Sequence, residues 1–582
     1  MKTKSSKRIL LSAFVAALLV ASACSGNSGG GSGTGTQSGT SSQTGANTSS
    51  PSQSTGGQSA STPAQEETVD PLGKYDPPIK LKMAALRSAT SFVDGETDGD
   101  NRWTREYKEA LGIEVDMVFA VPGDQYNERL GVTIASGDLP DVFGVDKVTL
   151  VQLVEAGLVE DLTEVYEKYA TDLLRSVMDL DGNGYAWKQA TFNGRLMAVP
   201  ERSASFGGRI IHIRKDWLDN LGKQPPKTMD ELLELIRAFT YDDPDRNGVN
   251  DTYGLALNQG LSSWNYDATG FFNGFGGMLK AWVKGDDGKL VYSSTLPPIR
   301  EGLLKLQELY KGGMIDPEFA VKSISDVSED GAAGKFGIAY GGISTPISPF
   351  QNVKKLDPNF DLISIPLVSI NDQPAKAEGS VNVNSYYVVR KGYPHPEALV
   401  KMQNLYVDIW FGSQAHRYAE MITGEVNGKQ ENFFQYAPVK ATHEGKNLTI
   451  HKRLVDVFNG RLPVSDLNTE EKTYYDLITA YDNGTGDASG WAYKRVFGEG
   501  GSLSVQQYYL DNNLFQVSQF YGLPTETMAS RWSTLQDMEN QVFLNIIMGE
   551  PIEAFDKFVN DWYNLGGREI TNEVNAWYEA NK

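Results

Sequence analysis

A chain with one cysteine and five scattered histidines cannot build a thiolate or imidazole cluster, so its metal chemistry must rest on oxygen. Oxygen donors are ordered in one place. Asp243, Asp245, Asn247 and Asp251 fall at positions 1, 3, 5 and 9 of a loop, with Gly248 at position 6 and Val249 at position 7 offering its carbonyl. This is the ligand order of most of an EF-hand loop, whose hard oxygens suit calcium. Position 12, where a bidentate glutamate belongs, is Gly254, so the expected structural calcium needs Thr252, water or a distant carboxylate to complete its shell. A weaker echo at 179–184 has Trp187 at its ninth position and reads as a plain turn.

Nothing comparable points to catalysis. The folded part of the chain contains no HExxH, GxSxG, GxxxxGK[ST] or CxxC motif, and its histidines show no ligand spacing. With 74 acidic residues, any pairing of two carboxylates as acid and nucleophile would be arbitrary. The expectation is a binding protein and not an enzyme. Its aromatic stock, 27 Tyr, 24 Phe and 10 Trp, favours one ligand type. A sugar ring offers an apolar C–H face to an indole or phenol and a hydroxyl rim to polar side chains. The stretch 262–282, SSWNYDATGFFNGFGGMLKAW, concentrates such rings between glycines and nominates Trp264, Tyr266 and Phe271. Trp103, Phe206, Tyr340 and Tyr387 stand in segments expected to edge a cleft, with Arg209 and Asp94 as hydrogen-bonding partners.

The lone cysteine is Cys24. It follows a basic start, an apolar run too short to span a bilayer comfortably, and the small residues Ala21, Ser22 and Ala23. That is where a bacterial lipoprotein signal places the acylated residue, although Ala21 replaces the usual leucine. From 25 to about 62 the chain is Gly, Ser, Thr, Gln, Asn and Ala, which cannot bury a core and serves as a tether. The net charge of −21 argues against nucleic acid or anionic lipid surfaces as partners. The membrane is reached through the lipid alone.

The elements that must position these residues follow from periodicity. Residues 79–86 (IKLKMAAL) and 113–120 (IEVDMVFA) alternate as strands on either side of a loop and a helix, a βαβ unit. Ligands in such sheets lie beyond the carboxyl ends of the strands, which makes 88–103 a cleft wall. Thr228 and Glu231 form a capping box that opens a helix over 229–240, directly before the acidic loop. The body exceeds what one core supports, so two lobes are expected.

Several blocks together carry a resemblance: SGDLPDVF at 136–143, LVEAGLVEDLTE at 153–164, RLMAVP at 195–200, IRKDWLDNLGKQPPKTMDEL at 213–232, GKFGIAYGG at 334–342, YPHPEALVKMQNLYVD at 393–408 and WYEANK at 577–582. In this order and behind a lipoprotein signal, they resemble the family 1 extracellular solute-binding proteins, whose fold is that of maltose-binding protein. The resemblance implies an α/β, two-lobe periplasmic-binding-protein-like fold with a hinge and an interlobe cleft. It implies an ABC importer as partner and an oligosaccharide as ligand, and loops like 243–251 bind structural calcium in similar proteins. The expected layout is a signal peptide at 1–23, the acylated cysteine and linker at 24–75, a first lobe of 76–203 plus about 379–420, and a second of 204–378 plus about 421–582. The chain crosses between lobes near 200–205 and 378–384. Monomeric capture at the outer face of the cell membrane is the function this favours. A peptide or other metabolite on the same scaffold is the alternative, since fold does not set ligand, with a surface glycosidase or adhesin behind it.

Overall fold

Strand Ile79–Leu86 buries Leu81 and Met83 on one face, as its alternation requires, and pairs in parallel with Ile113–Val121 from Ile79↔Ile113 onward. This is a computed structural model, and it describes residues 69–581 apart from 88–91, 94, 179–183, 203–205, 380–382, 413–414, 427–428 and 443–444. Cys24, the signal, most of the linker, Asp94 and the 179–183 echo lie outside those residues. The helix joining the first two strands, Arg102–Leu111, is opened by a capping box between Asn101 and Thr104 and closed by Gly112 at φ 67°. A side chain at 112 would put its Cβ 2.4 Å from the Tyr75 carbonyl oxygen, so only glycine fits that cap.

The first sheet has five strands, in the order Ile113–Val121, Ile79–Leu86, Val142–Val145, Val383–Val389, Val199–Arg202. The strand Val383–Val389 is antiparallel to both its neighbours, so the other four run the same way. A second sheet orders Leu362–Ile365, Ile210–Arg214, Phe336–Gly341, Tyr253–Leu255, with Ile210–Arg214 antiparallel to both of its neighbours. Each sheet has its own apolar core. These are the two lobes.

Three segments connect them. The chain leaves the first sheet after Arg202 and enters the second at Ile210; it leaves the second after the short strand Ala377–Glu378 and re-enters the first at Val383. A bridge between Gly207 and Gly379 ties these two crossings together. The third passage comes later than the expected boundary near 420. Met421, Ile422, Phe433, Tyr436 and Val439 still pack in the core of the first sheet, and only from Leu448, Ile450 and Leu454 does the chain join the second. The reason is packing: these side chains fill the space beside Trp103 and Tyr406, which the first sheet would otherwise leave open.

The crossings also fix where the ligand can sit. All four co-directional strands of the first sheet end on the edge that Arg202 leaves. On the second sheet, Tyr253–Leu255, Phe336–Gly341 and Leu362–Ile365 end on the edge where Ile210 enters. Both lobes therefore turn the carboxyl ends of these strands toward the crossings, and the loops there line the cleft.

Candidate functional site

On the second lobe the cleft wall is the loop after Leu255. Asn258 organises it: its Nδ2 donates to the carbonyls of Asn265 (2.7 Å) and Tyr266 (3.1 Å), and its Oδ1 accepts from Gly260 N–H (2.6 Å). Thr345 Oγ1, on the loop after Phe336–Gly341, donates to Asn265 Oδ1 at 2.7 Å and clamps the two loops together. Trp264 stands between them and is 46% exposed. One side of its indole lies against Gly342, where an added Cβ would come within 3.0 Å of Cζ2, and the Arg209 guanidinium sits 5.7 Å from the ring centroid. A rigid loop thus presents an aromatic surface to solvent at the carboxyl end of the sheet.

Arg209 is not available as an open cation. Its Nε and Nη2 grip Asp267 (3.1 and 2.8 Å), and Nη2 also donates to the Ser263 carbonyl. Burial alone would pull the guanidinium pKa down, but the Asp267 charge outweighs it and holds Arg209 protonated. Asp267 is fully buried and takes further hydrogen bonds from the Thr269 backbone and hydroxyl. Beside this pair, on the second crossing, the Glu378 carboxyl is pushed up to about 7, chiefly by burial; the Arg209 charge opposes the shift and Asp267 adds to it.

The first lobe contributes a cavity of about 280 Å³ at the matching edge. Ala85, Leu86, Gly144 and Glu201 line it from strand ends, facing Ser385, Tyr387 and Lys440. Tyr387 donates its hydroxyl proton to Glu201 Oε2 (2.7 Å) and accepts from the Lys440 backbone N–H (3.1 Å). Burial lowers the Lys440 ammonium pKa, with Glu201 opposing. Glu201, Ser385 and Lys440 were not visible in the sequence as site residues. Their common signal is position, at or beside strand ends on the crossing edge.

Five nominated aromatics belong to the cores, Tyr387 among them although it also borders the first-lobe cavity. Trp103 is fully buried, stacks on Tyr406 at 5.2 Å and donates Nε1 to the Phe433 carbonyl, because Trp103, Tyr107 and Leu111 share one face of their helix. Tyr266 is fully buried among Phe336 and Phe350; its positive φ of 56° turns the backbone inward two residues after Trp264. Tyr340 and Phe271 meet edge to face inside the second core. Phe206 is half-buried on the first crossing against Phe515.

The acidic loop is a set of oxygen donors held by its own amides. Asp243 accepts from the backbone N–H groups of Asn247 and Gly248, and the Asn247 amide donates to Asp245 Oδ2 (2.8 Å) and Asp251 Oδ1 (3.2 Å). Gly248 takes φ 77°, the turn position 6 demands. Burial raises the Asp245 pKa, and Asp243 and Asp251 add to it. Position 12 is closed: a Cβ on Gly254 would lie 2.1 Å from the Ile236 carbonyl oxygen, so no glutamate can stand there. The Thr252 hydroxyl donates to the Phe239 carbonyl at 2.9 Å and is buried, so it ties the loop to the preceding helix instead of facing the carboxylates. Among the described residues no group of three His, Cys, Asp or Glu side chains is gathered at metal-ligating spacing.

The family model described as bacterial extracellular solute-binding protein matches residues 95–423, which takes in the second sheet, every strand of the first except Ile79–Leu86, and the first two crossings. The chain belongs to this family. Among related solute-binding proteins, the polygalacturonan/rhamnogalacturonan-binding protein YtcQ of Bacillus subtilis is 24% identical over 523 residues, covering 88% of this chain and 94% of the relative. Lipoprotein LipO of the same organism is 28% identical over 529 residues, covering 89% and 96%. The solved Streptococcus pneumoniae substrate-binding protein FusA with kestose has a TM-score of 0.55 at 18% identity, covering 87% of this chain and all of that one. A solute-binding protein from Bifidobacterium longum infantis gives 0.56 at 16%, covering 86% and 99%. The fold of this solute-binding protein is therefore the two-lobe one expected, and YtcQ and FusA are named as binding proteins.

Proposed function

We propose that this solute-binding protein captures an oligosaccharide between its lobes and delivers it to an ABC importer. The observation that carries the reading is Trp264: a half-exposed indole on a hydrogen-bonded loop, backed by glycine and guanidinium, at the carboxyl edge of a sheet. Such a surface takes the C–H face of a sugar ring, while Glu378 on the same lobe and Glu201, Ser385 and Tyr387 on the other supply partners for hydroxyls. Three relatives are named for glycans: polygalacturonan and rhamnogalacturonan, fructooligosaccharide, and melibiose, raffinose and stachyose. Closure about the crossings brings the two walls onto the ligand, a hinge motion known in periplasmic binding proteins. The protein releases its ligand unchanged, works as a monomer, and is held outside the cell membrane by lipid on Cys24. Asp243, Asp245, Asn247, Asp251 and the Val249 carbonyl, drawn in from their hydrogen-bonded positions, hold a structural calcium, which offsets the negative charge of the loop.

The test is a thermal-shift and calorimetric panel of fructo-oligosaccharides, α-galactosides, oligogalacturonides and short peptides against wild type and Trp264→Ala. At least one glycan series should raise the melting temperature. Losing a stacking residue worth about 1 to 3 kcal/mol weakens that binding roughly 5- to 150-fold, with little change in the unliganded melting temperature. Binding of peptides alone, or a glycan recovered cleaved, overturns the proposal.

A further inference from the structure

Arg209, beside the Trp264 ring, lies against Gly270, and Asn273 stands about one turn further along the same helix, Thr269–Gly274, at the rim of a second cavity. Along 376–378 the side chains alternate: Ala377 is fully buried in the second core, so Lys376 and Glu378 turn the other way. Glu378 pairs in parallel with Gln516, whose side chain emerges on the same side. Lys376 and Gln516 border a cavity of about 250 Å³, whose rim also includes Asn273, Asn371 and Gln373.

Three features mark this cavity as built for hydroxyls. The side-chain amides of Gln373 and Gln516 make no hydrogen bond to the described residues, whereas the Oδ1 of Asn371 is spent on its own turn, accepting from Gln373 N–H (2.9 Å) and the Ser369 hydroxyl (3.1 Å). Asn273, only 2% exposed, donates Nδ2 to the Gly277 carbonyl (2.9 Å), and its Oδ1 receives no hydrogen bond. The rim has amides and one exposed ammonium, without carboxylate, guanidinium or aromatic ring.

We propose that this cavity is a second sugar subsite, holding one neutral unit of the same glycan whose other unit lies on Trp264; it rests on the oligosaccharide reading. An amide offers a donor and an acceptor side by side, which matches adjacent hydroxyls that each donate and accept. Without an aromatic ring the pocket grips the rim of a sugar and not its face. The volume admits a single ring. Since both subsites lie on one lobe, a chain long enough to reach the second gains binding intramolecularly, independent of lobe closure.

The experiment measures affinity against chain length by calorimetry, using neutral fructo-oligosaccharides and α-galactosides from the disaccharide upward, with oligogalacturonides as the charged series. In wild type, affinity for the neutral series that binds should step up by about tenfold once the chain spans both subsites, the worth of one or two hydrogen bonds. In Gln373→Ala/Gln516→Ala the step should vanish while the shortest binder keeps its wild-type affinity. No step in wild type, or the same step in the double variant, overturns the subsite and leaves the oligosaccharide reading standing. Binding confined to oligogalacturonides overturns the neutral subsite. If no glycan of any length binds, both fall.

Discussion

Trp264 and Tyr266 stand two residues apart in one polar, glycine-rich run and have opposite fates. Trp264 meets solvent; Tyr266, at φ 56°, drops between Phe336 and Phe350. A sequence records ring type but not the sign of φ, so both read equally well as stacking residues. Charge is similarly hidden, because Glu378 owes its position to a strand of two residues and its pKa to burial. The sign of its effect on stability follows from that shift. A carboxyl raised from the ordinary glutamate value to about 7 in the fold contributes stability that is complete below the unfolded value and is lost as pH rises through about 7. Glu378→Gln removes this dependence. The melting temperature of wild type relative to Glu378→Gln should therefore decline between about pH 4.5 and 7, measured by calorimetry at constant ionic strength. A constant difference across that range would mean that Glu378 ionises normally.

At the scale of elements, the strongest sequence signals were the periodic ones. The strands at 79–86 and 113–121 and the helix Met229–Tyr241 stand where alternation and capping put them. The capping detail differs: Thr228 Oγ1 accepts from Glu231 N–H, but the Glu231 carboxylate reaches back to Lys227 N–H, one residue before the cap. Trp103, nominated for the cleft edge, is core instead, and the nomination passes over the four-residue spacing to Tyr107 and Leu111 that marks a buried helix face. The acidic loop was legible as a ligand order, whereas the closure of position 12 by the Ile236 backbone was not. That closure bears on the proposed calcium. An ion with one bidentate carboxylate fewer is bound more weakly than in a full EF-hand, yet it relieves repulsion among Asp243, Asp245 and Asp251 and stabilises the fold by mass action. Chelation should lower the wild-type melting temperature and added calcium restore it, while Asp245→Ala abolishes the response. Equal melting with and without calcium, or an equal shift in Asp245→Ala, would leave the loop as a turn.

The molecule as a whole was legible as two lobes because the blocks at 136–143, 195–200, 213–232 and 334–342 sit on the strands and helices of both sheets. The third crossing was not. Between 415 and 442 the described residues form short helical turns and the paired strands Gly424–Val426 and Lys429–Glu431, too short to show a period, and only the packing of Phe433, Tyr436 and Val439 assigns them to the first lobe. Among the described residues no helix is long and apolar enough to cross a membrane. The net charge of −21 disfavours an electrostatic hold on anionic lipid. We propose lipid on Cys24 as the anchor; a Gly/Ser-rich chain of about 45 residues has a typical end-to-end distance of roughly 35 to 40 Å. Two or more acyl chains make such anchoring stable where one would not. In an expressing cell, wild type should partition with the membrane fraction and Cys24→Ser should appear in the medium, folded and with unchanged ligand affinity. Shortening the linker by half should leave wild-type partitioning intact, because the lipid and not the tether provides the affinity. Equal release of wild type and Cys24→Ser would refute the anchor without touching the binding site.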